Sequence, residues 1–146
     1  MDGLTFLDTN ILVYAANEDS PYHTKASGLI QSVNSGKLAA CVSSQVLAEF
    51  YATVTNPKKV RLPLTPEQAF EAIEGYLESD IPKLHPNDTT FRLTLELAKQ
   101  YRVTGVDIFD AQIVATMVQN RIKTIFTANE EDFNRFVEIE AVNPLR

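Results

Sequence analysis

Apolar and polar positions alternate in blocks along the chain. Leu4–Leu7 is a short apolar run ending at Asp8, the mark of a buried strand. Asp8-Thr9-Asn10 separates it from Ile11–Ala16, which reads as a first helix. Asn17–Ser20 breaks the pattern, and Ser20 before Pro21 signals a new helix start. Tyr22–Ser35 is that helix, stopping at Gly36. Leu38–Val42 predicts a second strand, after which Ser43 or Ser44 caps a helix running to about Asn56, before Pro57. Asn56–Pro66 holds three prolines and reads as a loop. Thr65 then caps a helix with Pro66 at its first position and Gln68 completing a capping box. Ile81–Leu84 is a brief strand, and His85–Asp88 leads into a helix over about Thr89–Tyr101. The remaining blocks predict a helix over Asp107–Asn120, a strand at Ile122–Phe126, a short helix at Asn129–Phe136 and a last strand at Val137–Ile139. This alternation of strands and helices predicts an α/β fold, with a mostly parallel sheet covered on both faces. No repeat or linker interrupts it, so residues 1–146 are expected to form one domain.

Composition narrows the class. The chain is 45% hydrophobic and 22% charged, which suits a globular core rather than disorder. The single cysteine, Cys41, can form neither an internal disulfide nor a cysteine-based zinc site. With an N-terminus that carries Asp2 and Asp8 but no basic residue, a reducing cytoplasm is the expected location. The longest uncharged stretches, Ala26–Gly36 and Leu38–Ala48, fall far short of the roughly 20 apolar residues of a membrane helix. The formal charge of −6 argues against holding nucleic acid by bulk charge alone.

Candidate chemistry lies among the acids. The five glycines form no phosphate loop, and no G-x-S-x-G elbow occurs. His23 and His85 both sit beside proline-marked boundaries and read as surface or capping residues. Asp8 follows a strand and precedes a helix, where a carboxylate either caps the helix or serves a site at the sheet's carboxyl edge. Asp110 falls in line with Val114 and Met117, on the apolar side of its helix and away from Gln112, Thr116, Gln119 and Asn120. A carboxylate there must be hydrogen-bonded, paired or metal-bound. Asp107 reads as the N-cap of the same helix. Glu49 lies just outside the stripe of Val46, Leu47, Phe50, Tyr51 and Val54, as an ordinary solvated acid would. Asn129 and Asp132 follow the Ile122–Phe126 strand, where Thr127 or Asn129 would cap a helix start rich in acids. In a parallel sheet the ends of the strands before Asp8 and before Thr127 open on one edge, and the helix start bearing Asp110 should open there too. Carboxylates converging there would repel one another unless a hard divalent cation joined them.

Four segments in order, Leu7–Tyr14, Ser44–Phe50, Ile108–Thr116 and Thr127–Phe133, resemble the motif blocks of the PIN domain family. The likeness is closest to its toxin ribonucleases of VapC type, from prokaryotic toxin–antitoxin pairs. The resemblance implies a three-layer α/β/α sandwich and a Mg²⁺- or Mn²⁺-dependent endoribonuclease. It carries the family's acidic positions onto Asp8, Glu49, Asp110 and Asp132, and the polar companions onto Asn10, Thr127 and Asn129. Asp107 is an additional acid that the family pattern does not require. The resemblance further implies an antitoxin partner lying over the acidic groove, and a homodimer. Lys58, Lys59 and Arg61, on the loop after the Glu49 helix, are candidate phosphate contacts. Two other readings stand beside this one: a phosphoryl-transfer enzyme using Asp8 as acceptor, and a non-catalytic partner-binding module of the same fold. Setting aside Asp8, Glu49, Asp107, Asp110 and Asp132 leaves 14 acids against 13 Lys and Arg. The acidity thus follows from the candidate site, and a low pI no longer argues against RNA.

Overall fold

The computed structural model describes residues 3–146. Five strands form one wholly parallel sheet: β1 (Thr5–Leu7), β2 (Ala40–Ser43), β3 (Lys83–Leu84), β4 (Thr124–Phe126) and β5 (Glu140–Val142). Their order across the sheet is β3-β2-β1-β4-β5. The chain therefore builds outward from β1 on one side, then returns to build outward on the other. The reversal falls between β1 and β4, where Leu7 lies beside Phe126.

Six helices cover the sheet: α1 (Thr9–Ala16), α2 (His23–Asn34), α3 (Ser44–Val54), α4 (Pro66–Glu78), α5 (Asp88–Tyr101) and α6 (Ile108–Gln119). α1 packs on α2 and α3, α3 packs on α4, and α5 packs on α6. Right-handed crossovers place these two groups on opposite faces, which gives the three-layer α/β/α sandwich. Phe6, Leu7, Cys41 and Val42 in the strands, Val46 and Phe50 in α3, and Val114 and Met117 in α6 are buried in one continuous core.

Local signals fix several helix starts. Thr65 Oγ1 accepts from the Gln68 backbone N–H at 3.1 Å, and Gln68 Oε1 accepts from the Thr65 N–H at 2.9 Å, which completes the capping box. Ser43, rather than Ser44, caps α3, its Oγ accepting from Val46 N–H at 3.2 Å. Asn87 caps α5 in the same manner.

Three expectations are corrected. The last strand is Glu140–Val142 and not Val137–Ile139, because pairing with Thr124–Phe126 sets its register. Val137 is instead 83% exposed. The helix expected over Asn129–Phe136 is a single 3₁₀ turn at Glu130–Asp132. Phe133 and Phe136 are both drawn into the core there, so the segment is anchored by burial and is too short to sustain an α-helix. Asp107 does not cap α6. It sits in a 3₁₀ turn, Gly105–Asp107, with helical backbone angles, and its carboxylate accepts from Arg135 Nη2 at 3.4 Å. A capping residue needs extended backbone to aim its side chain at the following N–H groups.

Candidate active site at the reversal point of the sheet

The site opens at the carboxyl edge of the sheet, where β1 and β4 end and the strand order reverses. Ligands of open parallel sheets collect at such points. Asp8 is the residue after β1, and its backbone N–H donates to Phe126 O at 3.0 Å. It both caps α1 and lines the candidate site. Oδ1 accepts from Thr9 N–H at 2.8 Å, which starts α1. Oδ2 accepts from Thr127 Oγ1 at 2.7 Å and from Asn10 Nδ2 at 3.3 Å.

Thr127 and Asn10 form a brace around that carboxylate. Asn10 Oδ1 accepts from Ala128 N–H at 3.1 Å, and Thr127 Oγ1 accepts from Asn129 N–H at 3.0 Å. Thr127 is fully buried and Asp8 is 8% exposed. A buried carboxylate costs stability unless such donors surround it.

Asp8, Glu49, Asp110, Asn129 and Asp132 line one cavity of about 630 Å³. β1, α3, α6 and the 3₁₀ turn after β4 each bring one acid to it. Glu49 Oε1 accepts from Thr9 Oγ1 at 3.3 Å. Asp110 stands in the first turn of α6, half-buried beside the fully buried Ala111 and Val114. Asp132 and Asn129 are exposed at the rim. A cavity of similar size, about 650 Å³, opens at the other edge of the sheet between Gly3, Arg121 and Glu138. It gathers no such set of acids, so donor chemistry and not size assigns the site.

Asp110, Asp8 and Glu49 hold protons more tightly than isolated carboxyls do. Burial raises Asp110 to about 7, with the charges of Asp132, Asp8, Asp107 and Glu49 adding to the rise. Burial also pushes Asp8 up, opposed by the hydrogen bonds from Thr127, Thr9 and Asn10 and reinforced by Asp132. Glu49 rises through burial and the nearby Asp8 charge, while Thr9 and Gln45 pull it back. Among the described residues no three Asp, Glu, His or Cys side chains stand as a closed metal cage. The acids line separate walls, as like charges do, yet remain close enough for neighbouring charge to raise Asp8, Glu49 and Asp110. An all-oxygen donor set of this kind fits a hard divalent cation and not zinc.

The basic loop contributes unequally. Lys59 lines the cavity. Arg61 is exposed and pairs with Asp19 at 3.5 Å, while Lys58 is exposed and outside the cavity wall. His23 Nδ1 lies 3.1 Å from Tyr14 O, so it ties α1 to α2 and stands apart from the acids. Two residues of the site escaped the reading of the sequence. Thr9 lies between two chosen residues, and Gln45 is four residues before Glu49 on the same helical face. Spacing alone could have nominated Gln45.

A parallel α/β/α sandwich with acids gathered at the reversal of its strand order defines the class as a PIN-type fold. The family model described as PIN domain matches residues 5–139, and the chain belongs to that family. It is similar to Ribonuclease VapC43 of Mycobacterium tuberculosis, 27% identical over 140 residues, covering 95% of this chain and 94% of that protein. It is also similar to Ribonuclease VapC24 of the same species, 29% identical over 130 residues and 89% of each chain. In structure it resembles the M. tuberculosis VapC20 crystal structure, titled a Sarcin-Ricin loop cleaving toxin, with a TM-score of 0.70, 19% identity and coverage of 93% and 98%. VapBC2 from Rickettsia felis, bound to a promoter DNA fragment, matches with a TM-score of 0.69, 21% identity and coverage of 96% and 98%.

Proposed function

We propose that this protein is the toxin of a toxin–antitoxin pair, an endoribonuclease that cuts RNA phosphodiester bonds with a divalent cation held by Asp8, Glu49, Asp110 and Asp132. The observation that carries the reading is the convergence of these four acids in one cavity at the end of β1 and β4. The curated relatives are themselves named VapC ribonucleases. Mg²⁺ or Mn²⁺ is the cation we assign, from the oxygen-only donor set. Such an ion stabilises the charge that builds on phosphoryl oxygens and lowers the pKa of water.

The chain's own residues do the rest. Asp8 is held in one orientation by Thr127 and Asn10, so a ligand oxygen is fixed before any ion arrives. Asp110 and Glu49 face it from α6 and α3, and Asp132 closes the rim. Lys59 is placed to meet a backbone phosphate from the same cavity wall. Asp107 stays on the surface with Arg135 and acts on Asp110 only through its charge.

An antitoxin is the partner we assign, because one structural neighbour is a toxin–antitoxin complex from Klebsiella pneumoniae and others are VapBC structures. A second copy of the chain is the occupant we assign to α4, where Phe70 and Leu77 are 63% and 45% exposed. Sedimentation velocity at micromolar concentration should give a dimer, and a monomer would contradict it. For the activity, a mixed-sequence RNA and the matching DNA are incubated with Mg²⁺ or Mn²⁺ and resolved on a denaturing gel. Discrete RNA fragments are expected with at least one ion. Intact RNA under both conditions overturns the proposal.

A further inference from the structure

A second cavity, of about 480 Å³, adjoins the acidic one and shares Glu49 as a wall. Its chemistry is different. Ala48, Pro86 and the ring of Phe109 give it apolar surface, and Gln45 and Gln112 give it two carboxamides. Glu49 is the one charged residue on its lining. Phe109 is 52% exposed although it lies in the first turn of α6, directly before Asp110. A large ring left half in water beside a cluster of acids is not core packing.

The backbone that carries the ring is held in place. Gln45 Nε2 donates to Phe109 O at 2.8 Å, and Gln112 Nε2 donates to Gln45 Oε1 at 2.9 Å. These contacts settle both amide orientations, since a carbonyl oxygen only accepts. Gln45 also acts on Glu49, whose carboxyl it pulls down. Gln112 keeps its carbonyl oxygen and one N–H, an adjacent acceptor and donor on the cavity wall. The cavity thus offers a flat apolar face, a hydrogen-bonding edge and almost no charge, next to a site suited to phosphate chemistry. A neutral planar ring with donors and acceptors on its rim matches all three features, whereas a phosphate leaves the apolar face unused and is repelled by Glu49.

We propose that this cavity is a base-docking subsite, in which an unpaired RNA nucleobase next to the cut phosphate stacks on Phe109 and bonds through its edge to Gln112. The proposal rests on the ribonuclease reading for its substrate, but its geometry is that of a separate cavity. Stacking on exposed aromatics is a sequence-tolerant way to hold single-stranded RNA, and edge contacts add base preference. Gln45 is a positioning residue here. It ties the first turn of α3 to the first turn of α6, so it sets the backbone at Phe109 relative to both Glu49 and Asp110.

The test uses single-stranded oligoribonucleotides carrying one abasic position at a time, cut by wild-type protein, Phe109→Ala and Phe109→Tyr in Mg²⁺ or Mn²⁺. One abasic position beside the cut bond should slow the wild-type protein about 5- to 160-fold, the range of one lost stack. Phe109→Ala should lose a similar factor on intact RNA and nothing further on that abasic RNA, while Phe109→Tyr restores the rate. Equal losses on intact and abasic RNA in Phe109→Ala, or no sensitive position, overturn the subsite while leaving the nuclease intact. If no RNA is cut at all, the nuclease reading fails, and binding decides the subsite. Oligoribonucleotides containing 2-aminopurine are then titrated in Ca²⁺. Quenching by wild-type protein that is absent in Phe109→Ala upholds base docking, and no quenching by wild-type protein overturns it.

Discussion

Replacing Asp110 by asparagine should stabilise the metal-free protein. Asp110 accepts no hydrogen bond from a described residue, and burial with four neighbouring acids raises it from 3.8 to about 7. Because the folded pKa lies above the unfolded one, folding favours the protonated form. The penalty is absent below about pH 3.8, grows as pH rises and is complete above about pH 7. At about 1.36 kcal/mol per unit the shift is worth at most about 4 kcal/mol. Solvent screening of a half-buried carboxylate reduces this to about 1–2 kcal/mol. For a chain of this size that is a Tm rise of about 2–8 °C. Thermal unfolding followed by circular dichroism in EDTA should show Asp110→Asn melting higher than wild type at pH 8 and equal to it near pH 4. Adding Mg²⁺ or Mn²⁺ should reverse the order, because only the wild type keeps all four acids to hold the ion. A variant that melts lower in EDTA at pH 8 would refute the like-charge argument.

Further predictions concern the supports of the site and the fold. Thr127→Val removes the 2.7 Å hydrogen bond to the buried Asp8 and should cost about 1–3 kcal/mol in denaturant unfolding at pH 7. The same variant should shift the acidic limb of a pH–activity profile upward, since Thr127 is the strongest of the hydrogen bonds that lower Asp8. An unshifted limb would remove Thr127 from the proton balance of the site. Cys41 is fully buried and its thiol is pushed up to about 12, so a disulfide reagent at pH 8 should label it only after denaturation. Rapid labelling of native protein would contradict the packing of β2. Thr65→Ala removes one half of the α4 capping box and should cost about 0.5–2 kcal/mol without changing activity.

What could be read from the sequence follows the range of the forces involved. The capping box at Thr65 and Gln68 and the end of α2 near Gly36 depend on neighbours within a few residues, and the structure contains both. The apolar runs around Phe6, Cys41 and Ile125 announced the parallel sheet because strands covered on both faces must be apolar throughout. β5 was misplaced by three residues because its register is dictated by β4, about 15 residues earlier in the chain, and Val137 looked like strand while lying in solvent. Glu49 looked solvated on its own helix because the residue that engages it, Thr9, is 40 positions away. Asp107 and Asp110 are three residues apart, and only the 3₁₀ turn before α6 separates a surface ion pair from a cavity wall. Asp110 was legible by its helical face. Asp132 was not, since the helix that would have defined its face is one turn long.

Single-turnover cleavage of an end-labelled single-stranded RNA, compared between wild-type protein and Asp8→Asn, tests the four-carboxylate site most directly. Cleavage should appear with Mg²⁺ or Mn²⁺, stop in EDTA and fall by at least about 100-fold in a folded Asp8→Asn, given the several kcal/mol a catalytic ion supplies. Equal rates for the two proteins, or wild-type cleavage that persists in EDTA, would contradict it.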